Sequence, residues 1–256
     1  MKKNEFEKLF APETMEIAIL IDPSGFGAGR AGKEKYWTVN AGISAWQDLS
    51  SGRVHTVENC SLTTMIENTD ELSKKLKANS ILTVKVCKGE VDFLLKEVIE
   101  SSDTYPELEK ILEEQLKSVY YKDEILGTFT LDKSINYFNN KIEWLGESIS
   151  VSFALDTEEN IRDTISVLHN LVKEQSEWDR RVRKFAAEEL TNLANDWQEE
   201  DVVEEEFAKR IILESITVYA DGGFVFWFDD DDLFFGHVIF VEGNLKGDFE
   251  RAEIAG

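Results

Sequence analysis

The chain has 256 residues, of which 42% are hydrophobic and 11% aromatic, and a formal net charge of −23 from 28 Lys and Arg against 51 Asp and Glu. This length and apolar content predict one large or two medium domains with a buried core, and they exclude wholesale disorder. The acidic balance excludes a simple nucleic-acid binder and a protein held on anionic lipid, because both need clustered Lys and Arg.

The first half of the chain alternates strand and helix signals. Apolar, β-rich runs predict strands at 15–21, 35–41, 53–57, 80–86 and 91–99. Asp22–Gly25 is expected to end the first strand in a turn, because Pro fixes φ and Gly permits positive φ. Helices are predicted over 70–77, capped by Thr69 or Asp70, and from Pro106 onward, where leucines and isoleucine recur at helical spacing.

The glycine-rich stretch Gly25–Lys33 contains two phosphate-loop patterns. Its last three glycines match GxGxxG, and Gly27–Lys33 matches GxxxxGK, although Glu34 occupies the place of the magnesium-binding hydroxyl. Both patterns require a helix directly afterwards, so that its amides face the phosphate. Residues 36–39 favour a strand instead. A loop between two strands is therefore the preferred interpretation, with a nucleotide cradle as the alternative.

The second half predicts three strands, two long helices, a short helix and three closing strands. The strands are expected at 126–131, 137–142 and 147–155, and later at 211–220, 224–229 and 233–241. Asp156–Glu159 resembles a capping box that opens the first helix, and Ser176–Asp179 resembles a second cap. The short helix is expected over 203–209.

These elements predict an α+β fold in two domains, residues 1–122 and 123–256. The second domain should be a mostly antiparallel sheet with two amphipathic helices on one face. Charge separates the halves as well: residues 1–125 carry a net −6 and residues 126–256 a net −17. The two cysteines, Cys60 and Cys87, lack CxxC spacing, and we expect two reduced, buried thiols. The N-terminus lacks the apolar stretch of a signal peptide, and no apolar run reaches the roughly 20 residues of a membrane span, so we expect a cytoplasmic protein.

Carboxylates are densest in two segments of the second half. Residues 196–206 contain seven of them in eleven positions, and four consecutive aspartates separate two apolar strands. Adjacent carboxylates repel one another unless solvent, a cation or a basic partner screens them. A basic protein partner is therefore expected to contact Asp229, Asp230, Asp231, Asp232, Glu204, Glu205 and Glu206.

The same aspartates suggest an alternative site for a divalent cation. Alternate residues point the same way, so Asp229 and Asp231 could share a hard cation, although the rest of a calcium loop is missing. His237 is predicted on the following strand, beside this turn, where it is the candidate catalytic residue, with Asn195 nearby. A hydrogen-bonded core histidine and a solvated turn are the plainer interpretations.

A basic cluster stands out against this acidic background. Arg180, Arg181, Arg183 and Lys184 lie within one predicted helix, near acidic neighbours at helical spacing. An exposed face with pairs at i and i+4 is the preferred interpretation, and an anion or partner contact is the alternative.

Several segments of the second half resemble a bacterial family known as domain of unknown function 2262. The resemblance covers about 124–256 and rests on these segments: Trp144–Gly146, Trp178–Asp179, Phe185–Ala187, Leu193–Trp197, Phe226–Phe228, Asp232–Ile239 and Ala252–Gly256. The family carries no assigned activity, and its members look similar to small acidic immunity or interaction proteins encoded beside bacterial toxins. The resemblance thus implies a domain boundary near residue 124.

Two functions follow from the sequence. The first is an acidic binding protein, with an inhibitor of a basic toxin as its specific form, because an acidic face steers and holds a basic partner. The second is a metal-dependent hydrolase built on Asp229, Asp231 and His237. A metal site should gather these side chains in a concave pocket, whereas a binding face should spread carboxylates over a flat or convex surface.

Overall fold

A computed structural model describes residues 2–256 and divides the chain into two compact units. The first unit runs to Ser118 and includes Lys133–Ile135, and the second comprises Val119–Asp132 and Asn136–Gly256. The boundary predicted between residues 122 and 123 falls within a strand of the second unit. No helix among the described residues is long and apolar enough to cross a membrane.

The first unit is built around a closed barrel. Its elements are α1 Lys3–Glu7, β1 Thr14–Gly29, β2 Trp37–Asp48, β3 Val54–Ile66, α2 Asp70–Lys75, β4 Ile81–Lys88, β5 Phe93–Ile99 and α3 Pro106–Leu116. The strand order is β1-β2-β3-β5-β4, with β3 and β5 parallel and the other pairs antiparallel. This order, with a helix between β3 and β4, is the topology of the five-stranded OB-fold barrel. Both cysteines are free and buried, as expected.

Strand β1 is longer than predicted because it bends rather than ends at Asp22–Gly25. The register shifts between Ile21 and Phe26, and Gly25 takes a left-handed φ of +66°. The Asp22 carboxylate accepts hydrogen bonds from the amides of Ser24 and Gly25, which replaces the lost ladder bonds. The expected turn is therefore a bulge inside one strand that pairs with both β2 and β4.

The glycine-rich stretch does not form a nucleotide cradle. Strand β1 continues to Gly29, and a short loop leads directly into β2 at Trp37. A phosphate loop needs the amino terminus of a helix at this point, and the next described element is a strand. The predicted loop between strands is correct only for residues 30–33, because residues 25–29 belong to β1.

The second unit contains one eight-stranded sheet and three helices among its described residues. Its elements are β6 Tyr120–Asp123, β7 Gly127–Asp132, β8 Tyr137–Trp144, β9 Glu147–Ala154, α4 Glu158–Lys173, α5 Gln175–Trp197, α6 Glu204–Arg210, β10 Ile212–Val218, β11 Gly223–Asp229, β12 Val238–Asn244 and β13 Phe249–Ala255.

This sheet is mostly antiparallel, which confirms the predicted fold class. Its order is β13-β12-β11-β10-β9-β8-β7-β6, and only β9 and β10, which the helices connect, run parallel. Alternate residues of β9 such as Val151 and Phe153 are fully buried and share one core with Leu168 of α4 and Val182 of α5. Burying one face of the sheet against one stripe of each helix is what makes the layer stable.

Three local predictions in this unit are corrected. The closing strand starts at Val238 rather than at residue 233, and β13 follows it. The cap of α4 is Thr157, whose side chain accepts a hydrogen bond from the amide of Asn160, rather than Asp156. Helix α5 begins at Gln175, before the predicted cap at Ser176–Asp179, and its N-cap residue Glu174 makes no side-chain capping bond.

Candidate protein-binding surface

The loop between β11 and β12 is held from inside by one carboxylate. Asp230 is only 2% exposed. Its Oδ2 atom accepts hydrogen bonds from the amides of Phe234 at 2.6 Å and Gly236 at 3.1 Å, and its Oδ1 atom accepts one from Asp232 at 3.3 Å. Three amides satisfy the buried charge, and they fix the path of the loop.

Two side chains hold the same loop from outside. The side-chain amide of Gln198, just after α5, donates to the carbonyls of Asp232 and Leu233 at 2.8 and 2.9 Å. His237 Nδ1 lies 2.5 Å from the carbonyl oxygen of Phe234, which places the imidazole against the loop. The segment is therefore constrained by bonds on both sides and presents a fixed shape.

The constrained loop exposes an aromatic side chain. Phe235 is 69% exposed, and its φ of +56° is disfavoured for a bulky residue. Its ring stacks on Trp197 at the end of α5, with 5.9 Å between centroids and 30° between planes. Trp197 also contacts His237 edge-on at 5.3 Å. Such a large exposed ring on a rigid support is typical of residues that anchor protein interfaces.

Helix α6 adjoins this loop, and the glutamates of its first turn are exposed. Phe207 of α6 packs edge-on against Phe234 at 6.3 Å. Arg210 donates from Nε to the carboxylate of Asp231 at 2.8 Å and from a terminal nitrogen to the carbonyl of the same residue. The link between α5 and α6 is closed by Asn195, which exchanges hydrogen bonds with the backbone of Val202.

Exposed carboxylates lie on the turn that precedes Phe235 and on the first turn of α6. We call Asp229, Asp231, Asp232, Glu204, Glu205 and Glu206 the acidic rim, and all six are exposed. Within the described part of the chain, ion pairs reach only two of them: Arg210 pairs with Asp231, and Lys209 pairs with Glu205 and lowers its pKa through their hydrogen bond. Phe235, Trp197 and the acidic rim together form what we name the Phe235 surface.

One predicted partner contact is corrected by burial. Asp230 was expected to meet a partner together with its three neighbours, but its side chain lies inside the loop and is occupied by backbone amides. The sequence pattern could not separate it from Asp229 or Asp231, because four consecutive aspartates carry no sign of which one turns inward.

The predicted metal site has no ligand cluster to support it. Across residues 2–256, no group of three or more His, Cys, Asp or Glu side chains could hold a metal ion. The Asp231 carboxylate is paired with Arg210, and the Asp229 carboxylate accepts the amide of Asp231. His237 lies in the loop rather than on the predicted strand, half-buried against Trp197. The metal site and the catalytic role of His237 therefore stay predictions.

The basic cluster on α5 divides into surface and structural residues. Arg180 and Lys184 make exposed pairs with Glu177 and Glu188, as expected for a solvated face. Arg183 is different, because it pairs with the largely buried Asp179 at 2.7 Å and donates to the carbonyls of Ala208 and Ile211. Its guanidinium also lies 5.3 Å from the centroid of the Phe228 ring.

Comparison with known families agrees with this division into units. The model of a family described as an uncharacterized protein conserved in bacteria, DUF2262, matches residues 123–254, a little over half of the chain. The chain belongs to this family. A second model, the domain of unknown function DUF7021, matches residues 2–115. Searches of the curated proteins and of the solved structures found no match.

The segments that carried the DUF2262 resemblance meet in the fold. Trp197, from the segment Leu193–Trp197, stacks on Phe235, from the segment Asp232–Ile239. Trp144, from a further segment, directs its indole nitrogen to the Asp179 carboxylate at 3.4 Å. The first pairing forms the exposed surface of the DUF2262 unit, and the second belongs to its buried framework.

Sequence reasoning missed the residues that present the surface. The apolar run predicts Phe235 within a strand, and no sequence pattern marks Gln198. The available signal was the glycine after Phe235, since Gly236 takes a φ of +86° and marks a turn rather than a strand.

Proposed function

We propose that the second unit is a binding module for a basic protein, which it contacts with the Phe235 surface. The observation that carries this proposal is a 69% exposed phenylalanine on a hydrogen-bonded loop whose turn and neighbouring helix α6 carry the exposed acidic rim. Aromatic anchors supply much of the affinity of protein interfaces, while surrounding charges speed association and select the partner.

The constraint on the loop supports binding rather than solubility as the reason for the charge. Asp230, Gln198 and His237 hydrogen-bond to the backbone of this loop, which restricts its conformation before a partner binds. A surface that is ordered before it binds loses less conformational entropy on association, which favours affinity.

A specific form of the proposal is an inhibitor of the immunity type, directed against a basic toxin in the bacterial cytoplasm. Two unpaired, buried thiols fit a reducing compartment. The metal-dependent hydrolase is not favoured, since no observed cluster of ligands supports it.

The test is affinity capture from the native host at low ionic strength with two matched variants. The rim variant combines D232N, E204Q and E206Q, which remove exposed charges without a hydrogen bond to the fold. The control variant combines E124Q, D163N and E189Q, three exposed carboxylates elsewhere in the second unit.

We expect a basic protein in stoichiometric amount with the wild type and the control, and its loss with the rim variant. Equal recovery with all three proteins, or recovery of no stoichiometric partner, would contradict the proposal.

A further inference from the structure

The first unit contains an open cavity with a basic lining, which is unusual in a chain of net charge −23. The cavity has a volume of about 760 Å³, and its lining includes Lys2, Lys3, Lys8, Lys35 and Tyr36. Four lysines that line one cavity are a local excess of positive charge on this acidic protein. Its volume lies within the range of ligand pockets, about 300–1,000 Å³.

Packing of α1 on the outside of the barrel creates the cavity. Phe6 of α1 is buried in a cluster with Met65 of β3 and Leu94 of β5, and Tyr36 packs against that cluster. The loop between β1 and β2 brings Lys35 to the same place. As a result the Nζ atoms of Lys3 and Lys35 lie 5.5 and 5.4 Å from the centroid of the Tyr36 ring.

The positive charge of the cavity is only partly neutralised within the fold. The carboxylates of Glu5 and Glu34 also line the cavity, and Lys35 pairs with Glu67, outside the lining, at 2.9 Å. Glu5 accepts a hydrogen bond from the backbone amide of Lys2. None of the ion pairs between residues 2 and 256 includes the side chains of Lys2, Lys3 or Lys8. Three ammonium groups thus remain available to an anion.

We infer that this cavity binds a phosphate-bearing anion. Lysine ammonium groups bind phosphate as point charges with rotatable donors, and several of them around one cavity favour a ligand with more than one negative oxygen.

Two sources share this chemistry: a free polyphosphate compound such as a nucleotide, and the backbone of a single-stranded nucleic acid. The whole-chain charge of −23 opposes either one at long range, so we expect binding to weaken steeply as salt is added.

The test is calorimetric titration of the full chain at low ionic strength with sodium tripolyphosphate, ATP and a short oligothymidine. The site variant combines K3E and K8E, and the control combines K77E and K110E, exposed lysines elsewhere in the first unit. A neutral version, K3Q with K8Q, serves if charge reversal disturbs folding, which circular dichroism would report.

We expect the wild type and the control to bind the phosphate probes equally and the site variant to bind about tenfold more weakly. Tighter binding of the oligothymidine than of ATP would identify the nucleic-acid backbone as the source. Equal or weaker binding of the oligothymidine would identify a free phosphate compound. The inference is overturned if no probe binds at millimolar concentration, or if the control loses as much affinity as the site variant.

Discussion

The carboxylate of Asp230 accepts the backbone amide of Phe234 at a distance of 2.6 Å, although its three aspartate neighbours in the sequence are all exposed. This bond lies one residue before the 69% exposed ring of Phe235 and fixes the direction in which that ring leaves the loop. The four aspartates of this turn therefore have different structural roles. Asp230 holds the loop from within, whereas the carboxylates of its three neighbours are exposed.

Replacing Asp230 by alanine should lower the free energy of unfolding by about 3 kcal/mol. The change removes one buried acceptor and leaves the amides of Phe234 and Gly236 without partners. Urea denaturation followed by tryptophan fluorescence measures the loss. The matched control is D232N, since the exposed Asp232 side chain should change stability by less than about 0.5 kcal/mol. Equal effects of the two substitutions would show that the buried carboxylate does not hold the loop.

Two arginines three positions apart on α5 should differ sharply in their contribution to stability. R183A removes the pair with the largely buried Asp179, two bonds to backbone carbonyls and the contact with Phe228, so we expect a loss of about 3–4 kcal/mol. R180A removes only an exposed pair with Glu177 and should cost less than about 1 kcal/mol. Thermal unfolding of both variants in the same buffer checks the order, and a cost for R180A as large as for R183A would refute it.

Asp123 should make the stability of the second unit depend on pH in the acid range. Burial alone would raise the pKa of Asp123, but bonds from His169 and from the amides of Leu126 and Ile125 together lower it below its ordinary value of 3.8. A carboxyl whose pKa is lowered by folding stabilises the fold above the pKa of the unfolded chain. That stabilisation is lost as the pH falls through the lower, folded value.

The corresponding variant is D123N. We expect it to be less stable than the wild type by about 1–2 kcal/mol at pH 7, with the difference shrinking below about pH 4. Urea denaturation at several pH values measures both curves, and D163N on the exposed face of α4 is the control. A difference that stays constant down to pH 3 would mean that Asp123 does not titrate as described.

Most helices and strands were predictable from the sequence, because the periodicity of apolar residues within each segment determines which face is buried. The stripe that includes Leu168 and the alternation that includes Val151 and Phe153 both produced the buried faces that the structure shows. Short or bent elements escaped prediction. Strand β13 was missed because it lies at the edge of the sheet and carries charged side chains such as Arg251 and Glu253. Strand β1 was predicted too short because the turn sequence with Pro and Gly forms a bulge, after which the strand continues.

The candidate surface was predictable in charge but not in geometry. The carboxylate surplus indicated where a basic partner could bind, and the acidic rim is exposed there. The inward turn of Asp230 and the outward turn of Phe235 depend on contacts with residues far along the chain. Gln198 lies 34 residues before Asp232, whose carbonyl it binds, and no local pattern encodes that distance.

The most direct test of the account is the affinity of the captured partner for wild-type protein and for F235A, measured by calorimetry at low and physiological salt. The substitution removes a mostly exposed ring, so folding should be unaffected, and I125A, at a side chain that is 74% exposed, is the matched control. We predict that F235A weakens binding at least about tenfold at both salt concentrations, while I125A has no effect. Unchanged affinity of F235A would contradict the claim that this loop presents the contact surface.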